Sequence, residues 1–201
     1  MELCLTVTRI DWSLTRDVVA TFATVAALGI GLAGLFTWRR QLRGTSEYEV
    51  AKRILVHAYQ IQDAIRSVRN PMLHLSKEEV EAGRKLEEEQ RVYAERMSAV
   101  YEKWAELKVL MLEAKAIWGE SAERPFRPLE QRIRELRSAL WLHFWMKGAY
   151  SGPGTTVDDS AERVEKNDKI VYEVSEDDEF ARSIADAVLN IEEYFGSKVR
   201  E

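Results

Sequence analysis

Apolar residues form one unbroken run near the start of the chain and recur at helical spacing through most of the remainder. Residues 18–38 read VVATFATVAALGIGLAGLFTW and contain no charged side chain. A helix of this length extends about 30 Å, which is the thickness of a bilayer's hydrocarbon core. Its large apolar residues each favour insertion by about 0.3–0.6 kcal/mol, and no buried charge opposes them. The pattern therefore predicts a transmembrane helix over 18–38 rather than a buried core helix or a cleaved signal peptide.

Basic residues predict the orientation of this span. Arg39, Arg40 and Arg43 follow it immediately, whereas the two arginines that precede it are offset by two aspartates. Because positive charge near a span tends to stay in the cytoplasm, we expect residues 1–17 to lie on the extracytoplasmic side of the membrane. The same rule places the C-terminal domain on the cytoplasmic side of the inner (plasma) membrane.

Small residues recur four apart within the span. Ala23, Ala27 and Gly31 share one stripe of the predicted helix, and such a stripe lets two helix backbones approach closely in lipid. The stripe therefore predicts helix association. Ordinary use of glycine and alanine in a membrane span is the alternative.

Residues 39–148 show the pattern of an all-α domain, an antiparallel helical bundle with coiled-coil-like seams. The first seam consists of Ala51, Ile54, Ala58, Ile61, Ile65 and Val68. The second consists of Tyr93, Met97, Val100, Trp104, Leu107, Met111, Ala114 and Trp118. Because tryptophan and methionine are unusual at the seam of a two-stranded coil, they favour a wider core, either within the chain or between copies.

Capping residues and helix breakers set the boundaries of these helices. Ser46 with Glu49 predicts a helix start, and Asn70-Pro71 predicts its end. Gly44 is either a hinge after the span or part of one continuous helix. A second helix predicted from Ser76 to about residue 118 would be much longer than the first. Its charged first third is either a separate short helix that breaks near Gly83, which we favour, or an exposed arm.

A further helix is predicted from Pro128 onward, and its second half is apolar on every side. Residues 139–146 read ALWLHFWM. Such a segment lies in a core or at an interface, and large aromatic residues often anchor protein contacts. Trp141 and Trp145 are therefore the candidate partner surface.

The C-terminal part of the chain is more polar. Residues 149–175 are predicted to form a loop with a short extended segment, KIVYEV, at residues 169–174. Residues 176–201 are predicted to form an acidic helix that Ser175 caps and Gly196 closes.

Composition and motifs argue against several classes of function. The chain has 201 residues, a formal net charge of −5 and one cysteine, which disfavours nucleic-acid binding and excludes an internal disulfide. We find no phosphate-binding loop, zinc-protease helix or nucleophile elbow, and the three histidines lack metal-ligand spacing. The sequence therefore predicts no enzyme, no cofactor, no metal site and no small-molecule substrate.

Two short runs carry a family resemblance. The sequence TWRRQLRGTSEYEVAKRIL after the span, followed by IQDAIRSVRNP, resembles uncharacterised bacterial single-pass membrane proteins with a cytoplasmic helical domain. This resemblance implies inner-membrane placement and transfers no functional residue. The leading hypothesis is a membrane-anchored scaffold or adaptor that self-associates or recruits a cytoplasmic partner. The alternative is an oligomerising membrane effector, such as a toxin or defence protein, that perturbs the bilayer.

Overall fold

The described part of the chain consists of helices and the segments that connect them, and no strand occurs in it. A computed structural model describes residues 12–150, 152, 154, 158–173 and 177–200. Its elements are α1 (Trp12–Arg69), α2 (Lys77–Glu81), α3 (Lys85–Trp118), a 3₁₀ helix (Glu120–Phe126), α4 (Arg127–Met146), α5 (Ala161–Val171) and α6 (Glu179–Arg200). The all-α prediction is confirmed for these residues, while Ser175 and most of the first seventeen residues lie outside the described part.

Helix α1 is much longer than either of the two helices predicted from its sequence. It runs without a break from Trp12 to Arg69, so Ser46 lies inside the helix and the predicted helix start there is wrong. Among the described residues, α1 is the one helix that is long and apolar enough to cross a membrane, and its apolar stretch lies near the N-terminus. By contacts, the chain divides into two compact units, one ending at Ser46 and the other spanning Glu47–Glu201.

The second unit is a bundle in which neighbouring helices run in opposite directions. The α1 residues Arg53 and His57 pair with Glu113 and Glu106 of α3, at N–O distances of 2.7 and 3.3 Å. Because the later residue of α1 pairs with the earlier residue of α3, these two helices are antiparallel. On another side of α1, the Tyr59 hydroxyl donates to α6, at 2.6 Å from Glu192 Oε2.

The apolar stripes that were predicted for the seams form the core of this unit. All six seam residues of α1 are at most 1% exposed. Buried with them are the apolar stripes of α4 (Leu129, Ile133, Leu136, Leu140 and Phe144) and of α6 (Phe180, Ile184, Val188, Ile191 and Phe195). On α3, Met111 and Trp118 are only partly buried, while Leu110 joins the core. The core therefore forms within one chain.

The predicted break near Gly83 is confirmed. Helix α2 ends before Gly83, which has a φ of +78° and lets the chain turn into α3. Ser76 accepts a hydrogen bond from the Glu79 amide at 3.5 Å, as its capping position predicts. The first turns of α3 bury two acidic side chains, since Glu88 and Glu89 are only 4% and 8% exposed.

The prediction of a loop over residues 149–175 is wrong in its central part. Residues 161–171 form α5, so the first half of KIVYEV is helical, and the chain becomes extended only at Tyr172. An isolated strand has no partner for its backbone, whereas a helix satisfies its own hydrogen bonds and here buries Val171. Helix α6 starts after Asp178, whose Oδ1 accepts from the Ala181 amide at 2.7 Å, and it continues through Gly196 to Arg200. The predicted helix end at Gly196 is therefore also wrong.

Candidate partner-binding surface

Trp141 and Trp145, the two predicted partner residues, lie together on one side of α4. Their ring centroids are 4.6 Å apart, and Trp141 also stacks on Tyr150 at 6.1 Å with 15° between the ring planes. Trp141 is 50% exposed, and Trp145 is partly buried. The structure thus brings both predicted residues to the surface and adds an aromatic residue that the sequence analysis had not selected.

The turn after α4 explains the position of Tyr150. Gly148 has a φ of +84°, and its amide donates to the Trp145 carbonyl at 2.9 Å. The next amide, of Ala149, donates to the Phe144 carbonyl at 3.0 Å. These two bonds form a Schellman motif, which reverses the chain at a helix end and usually requires glycine. Gly148 is therefore the residue from which this turn could have been predicted in the sequence.

An aromatic hollow of about 490 Å³ lies between α3 and α4 beside these rings. Its lining includes the buried residues Tyr93, Met97, Leu140 and Phe144, the exposed rings of Trp141 and Tyr150, and the polar residues Glu87, Gln90, Arg91 and Arg137. Gln90 Nε2 donates to the Tyr150 hydroxyl at 3.2 Å and so links the two sides of the hollow. A mostly apolar concavity with a few polar groups at its edge is typical of a binding site.

A second, basic hollow of about 250 Å³ is adjacent to the first. It is lined by Tyr101, Trp104, Lys108, Glu130, Ile133, Arg134 and Arg137. Arg137 lines both hollows, which therefore adjoin each other between α3 and α4. We call the two hollows together the α3–α4 furrow.

Three of the six charged side chains that line the furrow are paired within the described part of the bundle. Arg91 donates two hydrogen bonds to Glu88, at 2.8 and 2.9 Å, and Arg134 pairs with Glu130 at 2.6 Å. The pairing with Arg91, together with the Ser76 amide, lowers the pKa of Glu88 to about 2. Glu88 therefore remains ionised and keeps Arg91 engaged throughout the physiological pH range.

A buried polar network lies behind the aromatic hollow and holds α4 against α3 and α5. His143 is 5% exposed, with Nε2 at 3.2 Å from the Tyr172 hydroxyl and Nδ1 at 3.6 Å from Asp168 Oδ1. Lys147 Nζ donates to Glu89 at 2.6 Å. Burial is the main cause that lowers the pKa of His143, and the nearby Lys147 charge acts in the same direction.

Tyr93 joins this network to the hollow. Its ring packs edge-on against Phe144 at 5.6 Å, and burial raises the pKa of its hydroxyl. The hydroxyl has no hydrogen-bond partner within the described residues. His143 lines neither hollow of the furrow, and its contacts with Tyr172 and Asp168 link α4 to α5 and the segment that follows it.

Arg69 is a further residue whose importance the sequence analysis did not recognise. Its side chain is 0% exposed, and it donates to the carbonyls of Lys169, Ile170 and Tyr172 at 2.8–3.0 Å. It also pairs with Asp178 at 2.7 Å. One cation thus meets the negative end of α5 and the carboxylate that caps α6. Its position at the end of α1 gave no sign of these distant contacts.

The other predicted site residues lie on α1. Arg39, Arg40 and Arg43 are exposed, as are Ala23, Ala27 and Gly31. A Cβ added at Gly31 would meet no atom within 4 Å. No group of His, Cys, Asp and Glu side chains suitable for a metal ion occurs in the described part of the chain.

The chain matches no protein-family model, no curated protein and no solved structure.

Proposed function

We propose that this protein is a membrane-anchored helical adaptor, whose bundle recruits a cytoplasmic protein to the inner membrane. In this proposal, residues 18–38 span the bilayer, residues 1–17 lie outside, and Arg39, Arg40 and Arg43 keep the bundle in the cytoplasm.

The observation that carries the proposal is the exposure of the apolar part of α1. The large apolar side chains between Val18 and Phe36 are 47–74% exposed, and no residue of the most apolar window is buried. Fully burying one such side chain is worth about 1.5–3 kcal/mol, so covering the whole set is worth on the order of 10 kcal/mol. A lipid bilayer supplies that cover without any partner of matching shape.

The α3–α4 furrow supports the recruiting part of the proposal. The bundle already buries its own seams, so the aromatic rings that remain outside are available to another molecule. Trp141 and Tyr150 are both about half exposed, and stacked aromatic residues of this kind are common anchors of protein interfaces.

Extraction in a gentle detergent tests this function. The tagged full-length protein would be purified from its own cells, its native mass measured, and co-purifying proteins identified. We expect a stoichiometric second protein that is lost from Trp141→Ala. The matched control is Leu189→Ala, because Leu189 is 48% exposed on α6 and lies outside the furrow. Recovery of the protein without a partner, or equal loss in both variants, would contradict the adaptor.

The membrane effector remains the second candidate because of the open surface around the small-residue stripe. Ala23, Ala27 and Gly31 recur every four residues on an exposed helix, which would allow spans to associate closely. If the effector is correct, expression should depolarise cells and Gly31→Leu should abolish this. Val25→Leu, which lies off the stripe, is the control.

A further inference from the structure

Two cations on the α3–α4 furrow have no carboxylate partner among the described residues. Arg137 and Lys108 both line the basic hollow, and neither forms an ion pair there. Lys108 instead lies over the ring of Trp104, with Nζ at 5.9 Å from the centroid. Because the neighbouring Arg91 and Arg134 are paired with glutamates, the uncompensated positive charge is concentrated at this end of the furrow.

The aromatic hollow adjoins this end of the furrow, because Arg137 lines it as well. Arg137 and Trp141 are four residues apart on α4, so they face the same side at a separation of about 6 Å along the axis. The furrow thus offers an apolar pocket next to a site for carboxylates. Its α3 side extends from Glu87 to Lys108, which corresponds to about 30 Å, or some twenty residues of a helix.

We propose that the α3–α4 furrow binds an acidic amphipathic helix of the recruited partner. A large apolar side chain of that helix enters the aromatic hollow beside Trp141 and Tyr150. Carboxylates one or two turns further along meet Arg137 and Lys108. This inference rests on the proposed adaptor function and adds the chemistry of the partner, since a helix laid in a groove presents its anchors at this spacing.

Charge complementarity is the argument for this occupant. A basic helix would place its charges against two cations that have no counter-ion, and like charges at an interface are strongly unfavourable. An uncharged apolar helix would fill the aromatic hollow but leave both cations desolvated without a partner. Carboxylates solve both problems, and a guanidinium can bind a carboxylate through two parallel hydrogen bonds.

A pair of synthetic peptides tests the proposal on the full-length protein in detergent micelles. Both are eighteen-residue helices with the same tryptophan–leucine stripe, and one carries glutamates beside the stripe where the other carries lysines. Affinity is measured by fluorescence anisotropy, with cross-linking from a photoreactive group on the peptide to locate the contact. Because all variants are in the same micelles, partition of the peptide into detergent cancels between them.

We expect the acidic peptide to bind the wild-type protein at least tenfold more tightly than the basic one and to cross-link within the furrow. The double variant Lys108→Glu/Arg137→Glu should reverse this preference, and Trp141→Ala should weaken the acidic peptide at least fivefold. Arg127→Glu is the control for charge, because that side chain is 71% exposed near the start of α4 and lies outside the furrow. Circular dichroism would establish that each variant is folded.

Absent binding of the acidic peptide, equal binding of the two peptides, or a preference that the double variant does not reverse would each overturn the inference. These outcomes are separable from failure of the adaptor function. A partner that co-purifies and depends on Trp141 but is indifferent to the charge reversal leaves the adaptor in place and refutes the acidic helix. If the furrow binds the acidic peptide but the protein recruits nothing from cells, the adaptor function is refuted while the preference of the furrow for an acidic helix stands.

Discussion

Replacing Arg69 with methionine should destabilise the bundle more than any surface substitution. Methionine keeps much of the apolar stem but removes the cation that joins α1 to α5 and α6. Three carbonyls and the Asp178 carboxylate would lose their buried donor. Breaking a buried ion pair by removing one partner typically costs about 3–5 kcal/mol. We expect a value near the lower end, about 3 kcal/mol, because Arg69 Nη1 has no hydrogen-bond partner among the described residues and lies 3.8 Å from Glu173.

Arg66→Met is the matched control for this prediction. Arg66 lies one turn earlier on α1, its side chain is 63% exposed, and its nearest carboxylate oxygens are 3.6 and 3.8 Å away. Exposed pairs contribute less than about 1 kcal/mol, so this variant should unfold close to the wild type. Urea unfolding of the full-length protein, followed by tryptophan fluorescence, measures both. Similar free energies of unfolding for the two variants would refute the assigned role of Arg69.

Three more substitutions test other parts of the structure. Leu107→Ala should cost about 2–5 kcal/mol because Leu107 is fully buried, whereas Leu112→Ala, at a side chain 63% exposed, should cost less than about 0.5 kcal/mol in the same unfolding assay. The lowered pKa of His143 means that the unfolded chain binds the proton more readily. The free energy of unfolding should therefore fall as the pH drops below about 6.5, and His143→Gln should make it depend less on pH. The same slope of unfolding free energy against pH in this variant would contradict a buried, neutral His143. Gly83→Ala should speed hydrogen exchange in α2 by roughly fivefold, since a left-handed φ costs an alanine about 1 kcal/mol. Gly44→Ala, inside a helix, should not speed exchange anywhere.

Periodicity predicted the core well because burial repeats along each helix. The stripe from Ala51 to Val68 is buried at every predicted position, and the α4 stripe from Leu129 to Phe144 is likewise buried. The break at Gly83 was also predictable, since it followed from helix lengths and a glycine. By contrast, the capping box at Ser46 is a local signal, and the continuous hydrogen bonding of α1 overrides it.

Features that depend on distant pairs were not predictable from the sequence. The KIVYEV segment, residues 169–174, alternates like a strand, yet residues 169–171 are helical. Two distant contacts hold them there: Asn167 Nδ2 donates to the Ala139 carbonyl, and Arg69 donates to the Lys169 carbonyl. The prediction of Trp141 as a surface residue rested on composition alone. The furrow itself required α3, because Lys108 and Arg137 are brought together only by antiparallel packing of two helices.

The polar contacts around α5 follow from how little apolar surface this helix can bury. Only Asn167 and Val171 are buried in its eleven residues, too little to fix its position by the hydrophobic effect alone. Directional bonds compensate for this: Asn167 donates to α4, and Arg69 donates to the carbonyls of Lys169, Ile170 and Tyr172. Such bonds have one geometry, whereas an apolar contact tolerates sliding. The buried charge of Arg69 therefore specifies the position of α5. Helix α5 in turn places Asp168 against His143. This contact supports the C-terminal part of α4, on which the stacking of Trp141 and Tyr150 depends.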